Sequence, residues 1–192
     1  MLRFALLGSG NVRISVGVIA ALATYFGERP LDLRFWDGDV ERADLFDRFA
    51  RLCFTVARSA HELSTVATPE EALEECGRVL IAVDENCASR YFKGRPEARE
   101  PDRVERAIEC FLLQVPEGTP ILDLTGAVSP LRRGVRRSAP WPEQEDEREL
   151  TARPHQVLRW IHGEEYVNDL LAQHEHTPLK AWLDELEQAE TR

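Results

Sequence analysis

Four apolar residues, Phe4-Ala5-Leu6-Leu7, run straight into Gly8-Ser9-Gly10-Asn11-Val12-Arg13. An apolar strand that turns on two glycines and then enters a helix is suited to receiving a phosphate. Gly8 permits the tight turn, Gly10 lets backbone N–H groups approach a ligand, and the helix beginning near Asn11 offers its positive end. Arg13 stands where a third glycine would complete the G-x-G-x-x-G pattern. A second segment, Leu31-Asp32-Leu33-Arg34-Phe35-Trp36, ends in Asp37, 27 residues beyond Gly10. A carboxylate at the end of a second strand can accept hydrogen bonds from ribose hydroxyls, so the order strand, turn, helix, strand, acid points to a dinucleotide. Asp37 would repel a 2′-phosphate, which favours NAD over NADP, although Arg34 and Arg42 lie close to it in sequence. The plainer alternative is an ordinary strand-to-helix turn with Asp37 capping the next helix.

Ligands of open α/β sheets bind beyond the carboxyl ends of the strands. The run Val79-Leu80-Ile81-Ala82-Val83 brings Asp84, Glu85 and Asn86 to that edge, and Ile121-Leu122 brings Asp123 and Thr125. Two carboxylates there could hold a hard cation or act as a base; equally, Asp, Asn and Thr are common helix caps. His155, His162, His174 and His176 show no zinc-site spacing, since His174 and His176 are two apart and do not share a helix face. His61 reads as the frayed end of a helix. Arg132, Arg133, Arg136 and Arg137 could clamp an anion or balance the acidic run at 143–147, and Arg90, Lys93, Arg95 and Arg99 fall where such folds often place a mobile lid. The candidate cofactor-binding set is therefore Gly8, Ser9, Gly10, Asn11, Val12, Arg13, Asp37, Val83 and Asp84. No metal ligands and no catalytic acid or base can be named.

These residues need a scaffold. At 192 residues the chain suits one domain that buries about two-thirds of its unfolded surface. The net charge of −10, from 24 Lys plus Arg against 34 Asp plus Glu, argues against nucleic acid and anionic membranes as partners. Cys53, Cys76, Cys87 and Cys110 form no C-x-x-C pair, and Cys53 and Cys110 fall on apolar helix stripes. With no signal-like start and no apolar run of roughly 20 residues, the expected location is the cytoplasm. Helical spacing of Ile14, Val18, Ala21, Leu22 and Tyr25 predicts the first crossover helix. A second stripe, Phe46, Phe49, Cys53, Val56 and Ala57, leaves Glu41, Arg42, Asp47, Arg48 and Arg51 facing water. Further strands are expected at Leu63–Ala67, Val79–Val83, Thr119–Thr125 and Val157–Ile161, with Thr68-Pro69 opening a small helix and another spanning Pro101–Val115. Residues 126–154 read as a long loop, and closing helices follow within 163–190. If the apolar stripe of those helices, including Leu179, Trp182 and Leu183, stays exposed, a homodimer is its natural use. The whole is an α/β fold: one doubly wound, mostly parallel, Rossmann-like sheet with helices on both faces.

Roughly residues 1–130 resemble the NAD-binding domain of the family 4 glycoside hydrolases, the 6-phospho-glycosidase and α-galacturonidase group. The resemblance is carried by Leu7-Gly8-Ser9-Gly10-Asn11-Val12-Arg13, by Trp36-Asp37-Gly38-Asp39 with Glu41-Arg42, by Thr68-Pro69-Glu70-Glu71-Ala72-Leu73, and by the strand at 79–83. It implies an NAD-binding Rossmann domain in which Gly8, Gly10, Arg13 and Asp37 match the cofactor positions. The family's hydrolysis proceeds by a redox route that needs a metal held by Cys and His. Those metal motifs, the Asn-Pro step after the fifth strand and most of the substrate domain have no counterpart here. The resulting expectation is an NAD(H)-binding relative without catalysis, or a sensor. The alternatives are a small NAD-dependent oxidoreductase acting on an anionic or sugar-like molecule, and an interaction domain without cofactor.

Overall fold

Strands and helices alternate through the computed structural model, which describes residues 1–126, 135–137, 171–172 and 178–190. In chain order they are β1 (Leu2–Leu7), α1 (Val12–Phe26), β2 (Leu31–Trp36), α2 (Val40–Val56), β3 (His61–Thr65), α3 (Pro69–Leu73) and β4 (Arg78–Ile81). Then come α4 (Glu85–Tyr91), a 3-10 turn (Pro96–Arg99), α5 (Arg103–Leu112), β5 (Ile121–Asp123), β6 (Val135–Arg137) and α6 (Pro178–Glu190). The strands form one sheet in the order β3-β2-β1-β4-β5-β6, and every pairing is parallel. Such pairing requires crossovers, and the helices that make them cover both faces. Period-two alternation divides β1 between two cores: Phe4 and Leu6 pack with α1, α2 and α6, while Ala5 and Leu7 pack with α3, α4 and α5. This is the doubly wound Rossmann-type α/β architecture. Its strand order reverses between β1 and β4, which places a crevice beyond the carboxyl ends of those two strands.

Local chemistry sets several boundaries as the residue types suggest. Thr68 caps α3 by accepting a hydrogen bond from the Glu71 amide at 3.2 Å, with Pro69 at the first helical position. Gly27 ends α1 with φ of +50°. The stripe residues Leu179, Trp182 and Leu183 of α6 are buried in the core that α1 shares, so these three are spent on packing inside the chain. All four cysteines are free; Cys53 is buried and Cys110 half-buried. No helix among the described residues is long and apolar enough to cross a membrane.

Other expectations are corrected. β3 spans His61–Thr65 instead of Leu63–Ala67, so His61 begins a strand instead of ending a helix. There its ring lies 2.7 Å from the Ser59 carbonyl and packs on Phe54, contacts that start the strand two residues early. β6 falls inside the expected loop at 126–154. Its three residues, Val135-Arg136-Arg137, hold one apolar side chain and no alternation, so only the pairing with β5 reveals them. The basic stretch Arg90, Lys93, Arg95 and Arg99 runs from the end of α4 through the 3-10 turn. The strand expected at Val157–Ile161, the start of the closing helices at 163–170, the acidic run at 143–147, Arg132, Arg133, His155, His162, His174 and His176 lie outside the described residues.

Candidate functional site

Gly8 makes the turn after β1 with φ of +82°, a conformation that L side chains rarely adopt. A Cβ there would stand 2.5 Å from Val83 Cα, so the β1 turn and the segment after β4 touch backbone to backbone. Asn11 ties the same two segments together, its Nδ2 donating to the Ala82 carbonyl at 2.8 Å. Asn11 also precedes α1, and its carbonyl accepts from the Ile14 and Ser15 amides. The first turn of α1 carries no acidic residue, which leaves its positive end without a neighbouring countercharge on that turn. Val12 is buried and Arg13 exposed.

Asp37 follows β2 and faces this turn. Its Oδ2 accepts from the Gly10 amide at 2.9 Å and its Oδ1 from the Asp39 amide at 2.8 Å, and the residue is 3% exposed. Burial pushes its pKa up to about 6; the two amides and Arg42 oppose that rise, and Asp84 adds to it. Two charge-assisted hydrogen bonds from amides thus hold an anion where solvent is nearly excluded.

The expected amide cradle is only partly as the residue pattern suggests. The Gly8 and Ser9 amides donate to the Trp36 carbonyl at 2.9 and 3.0 Å, and the Asn11 amide to the Gly8 carbonyl at 3.0 Å. With Gly10 donating to Asp37, four amides of the turn have acceptors inside the chain. Side-chain donors remain. Ser9 Oγ and Arg42 Nε are buried beside the turn with no hydrogen-bond partner among the described residues. Buried polar atoms left in that state cost about 1–3 kcal/mol each and call for an explanation.

The structure therefore brings together Gly8, Ser9, Gly10, Asn11, Asp37 and Val83. Asp84 stands at the rim: its Oδ1 caps α4 through the Cys87 amide at 2.8 Å, and its Oδ2 lies 3.8 Å from Arg42 NH1. Asp123 accepts from the amide and the hydroxyl of Thr125 at 2.9 and 2.7 Å, so it is tied to its own turn. Among the described residues no group of His, Cys, Asp and Glu could hold a metal ion.

Arg42 was expected to face water. Its Cβ instead lies 2.8 Å from where a Cβ on Gly10 would be, because its aliphatic stem covers the turn before the guanidinium reaches Asp84. Gly38 is a further site residue that sequence reasoning missed. The signal for it was a glycine between two acids, Asp37 and Asp39, at the end of a strand.

Strand order, glycine turn and facing carboxylate define a Rossmann-type domain with its switch-point turn intact. No protein-family model matches the sequence, and no curated protein is similar to it. Among solved structures, a 6-phospho-alpha-glucosidase from gut microorganisms in complex with NAD and Mn2+ is similar at 16% identity with a TM-score of 0.50, over 72% of this chain and 38% of that one. A 6-phospho-beta glucosidase from Thermotoga maritima is similar at 16% identity with a TM-score of 0.49, over 67% of this chain and 35% of that one. At this identity the likeness is one of fold. The chain spans between 35% and 38% of the length of these two structures.

Proposed function

We propose that this chain binds NAD(H) at the turn between β1 and α1 and acts as a binding or sensing protein without turnover of its own. The observation that carries this reading is Asp37, held ionisable against Gly10 at the switch point, with the unpartnered Ser9 Oγ and Arg42 Nε beside it. A carboxylate has about four lone-pair positions. The Gly10 and Asp39 amides use two, the Cys87 thiol also bonds to this carboxylate, and ribose hydroxyls would take the remaining positions once that thiol is displaced. Ser9 and Arg42 would donate to the diphosphate at the positive end of α1. Arg34 does not compete for a 2′-phosphate, because its guanidinium reaches the Glu71 and Glu74 carbonyls on the α3 side; this supports NAD over NADP.

Bound NAD supplies a hydride acceptor, and NADH a donor. The edge carboxylates that could serve such chemistry as a base, Asp84 and Asp123, are each engaged with their own backbone turns, which favours sensing over catalysis. Native mass spectrometry of the protein incubated with NAD is expected to show a one-to-one adduct. No hydride exchange is expected across phosphorylated sugars, uronates and 2-hydroxy acids. Turnover of any of these would make the chain an oxidoreductase, and a folded protein that retains neither NAD, NADH nor NADP would remove the reading.

A second reading, an interaction domain without cofactor, is favoured by one observation. The amides of Gly8, Ser9, Gly10 and Asn11 already have acceptors within the chain.

A further inference from the structure

The edge of the sheet that the adenosine half of a dinucleotide would occupy is covered by α4. A Cβ on Gly38 would stand 2.5 Å from the Cys87 carbonyl oxygen, 2.8 Å from Arg90 Cβ and 3.0 Å from the Tyr91 nitrogen. The helix backbone therefore rests directly on the turn after β2, against Asp37. Cys87 marks the same closure: burial pushes its thiol well above its ordinary pKa, and the charge of Asp37 adds to that. An acid that is 3% exposed under such a cover is out of reach of a ribose until the cover moves.

α4 is held by the burial of Cys87 and Ala88 in the core, by a close ion pair between Glu85 and Arg103 of α5, and by contacts to the turn after β2 and to α2. Arg42 pairs with its capping residue Asp84 at 3.8 Å, and Arg90 pairs with Asp39 at 3.8 Å. The Tyr91 ring packs edge-on against Trp36 and Phe111, at 5.8 and 4.8 Å between centroids. A helix of seven residues has little stability of its own, so these tertiary contacts decide where it sits. The Arg42 and Arg90 pairs, which tie α4 to the nucleotide turn, are long and partly solvated, which makes them weak, whereas the Glu85–Arg103 pair ties it to α5. Arg42 belongs to both arrangements, since the guanidinium that pairs with Asp84 is the one placed to meet a diphosphate.

We propose that α4 is a latch on the nucleotide turn, resting on Gly38 in a closed arrangement and swinging off it when a ribose takes Asp37 and a diphosphate draws Arg42 from Asp84. This rests on the NAD reading above. A binding-competent state populated only in part lowers apparent affinity by that fraction, so weakening the closed state tightens binding. Ligand binding then displaces a helix, which is the output a sensor requires.

The test compares NAD titrations by calorimetry for the wild type, Gly38→Ala and Arg90→Ala, with hydrogen exchange of the α4 amides. Gly38→Ala inserts a methyl group under α4 at a position without positive φ, and Arg90→Ala removes one ion pair and leaves the packing. NAD is expected to bind Gly38→Ala about tenfold more tightly than wild type, and Arg90→Ala about two- to threefold more tightly. Exchange over residues 85–91 should speed up in Gly38→Ala and, in the wild type, on adding NAD. If the wild type binds NAD while Arg90→Ala binds no tighter and NAD leaves α4 exchange unchanged, the latch is overturned and the NAD reading stands. If no protein of the three binds NAD although all are folded, the NAD reading fails and takes the latch with it. Should Gly38→Ala not fold, Arg90→Ala and the wild-type exchange still decide.

Discussion

The two ends of α1 differ in a way that volume alone would misjudge. At its C-terminal end a groove of about 600 Å³ opens between α1 and α6, lined by residues including Thr24, Tyr25, Arg29, Lys180 and Asp184. Its charges are balanced among themselves: Arg29 pairs with Glu187 and lies over the Tyr25 and Phe26 rings at 4.9 and 5.0 Å. Burial, with Glu187 and Asp184 nearby, pushes the Tyr25 hydroxyl up to about 12, so it stays neutral at ordinary pH. Buried polar atoms without a hydrogen-bond partner occur at both ends, Tyr25 Oη at the groove and Ser9 Oγ and Arg42 Nε at the N-terminal turn, but the nearly closed turn also holds a carboxylate whose pKa burial raises. A buried carboxylate with a raised pKa is a common mark of a ligand site, which is why the proposed NAD site is placed at the closed end. The strand order agrees, because ligands of doubly wound sheets meet the carboxyl ends of the strands.

The contrast breaks most severely at Gly8. Gly8→Ala combines a φ of +82° with a 2.5 Å approach to Val83 Cα and should cost about 3 kcal/mol or more, read by urea unfolding. A loss below about 1 kcal/mol would mean that the turn has slack. Asp37 comes next. A carboxyl with a pKa of about 6 folded and 3.8 as its ordinary value binds its proton more readily in the folded state. Stability is therefore gained as pH falls from about 6 towards 3.8, and lost as pH rises through 6. Between pH 7 and pH 4.5 the gain should be about 2 kcal/mol in the wild type relative to Asp37→Asn, measured by unfolding at the two pH values. Equal pH dependence in the two proteins would show that Asp37 titrates normally.

Smaller effects sharpen the comparison. Ribose hydroxyls need the ionised carboxylate, so NAD affinity should fall about tenfold between pH 7 and pH 5, followed by calorimetry. Smallest is the open groove: Arg29→Ala loses a solvated ion pair and its ring contacts, costs about 1 kcal/mol or less, and leaves NAD affinity unchanged. A large change in NAD affinity there would put ligand at the wrong end of α1 for this account.

The parts of the site that were legible in the sequence depend on local rules. An apolar run into Gly8-Ser9-Gly10 encodes the turn because few residues accept positive φ, and Asp37 is legible because it ends an apolar strand. Thr68-Pro69 is equally local. The missed features depend on contacts between distant segments. The α4 residues Glu85-Asn86-Cys87-Ala88-Ser89-Arg90-Tyr91 show too little periodicity to announce a helix, and packing on Gly38 places them. Arg42 has a helical phase that points to water, yet its long stem can cover Gly10 while its charge reaches Asp84. For β6, partner and register come entirely from β5.

Calorimetric titration of the folded protein with NAD at pH 7.5, repeated on Asp37→Ala, tests the central claim most directly. One binding site per chain, weakened about tenfold or more by the substitution, is the result this account predicts. Binding that is indifferent to Asp37→Ala, or no heat from either protein, would contradict it.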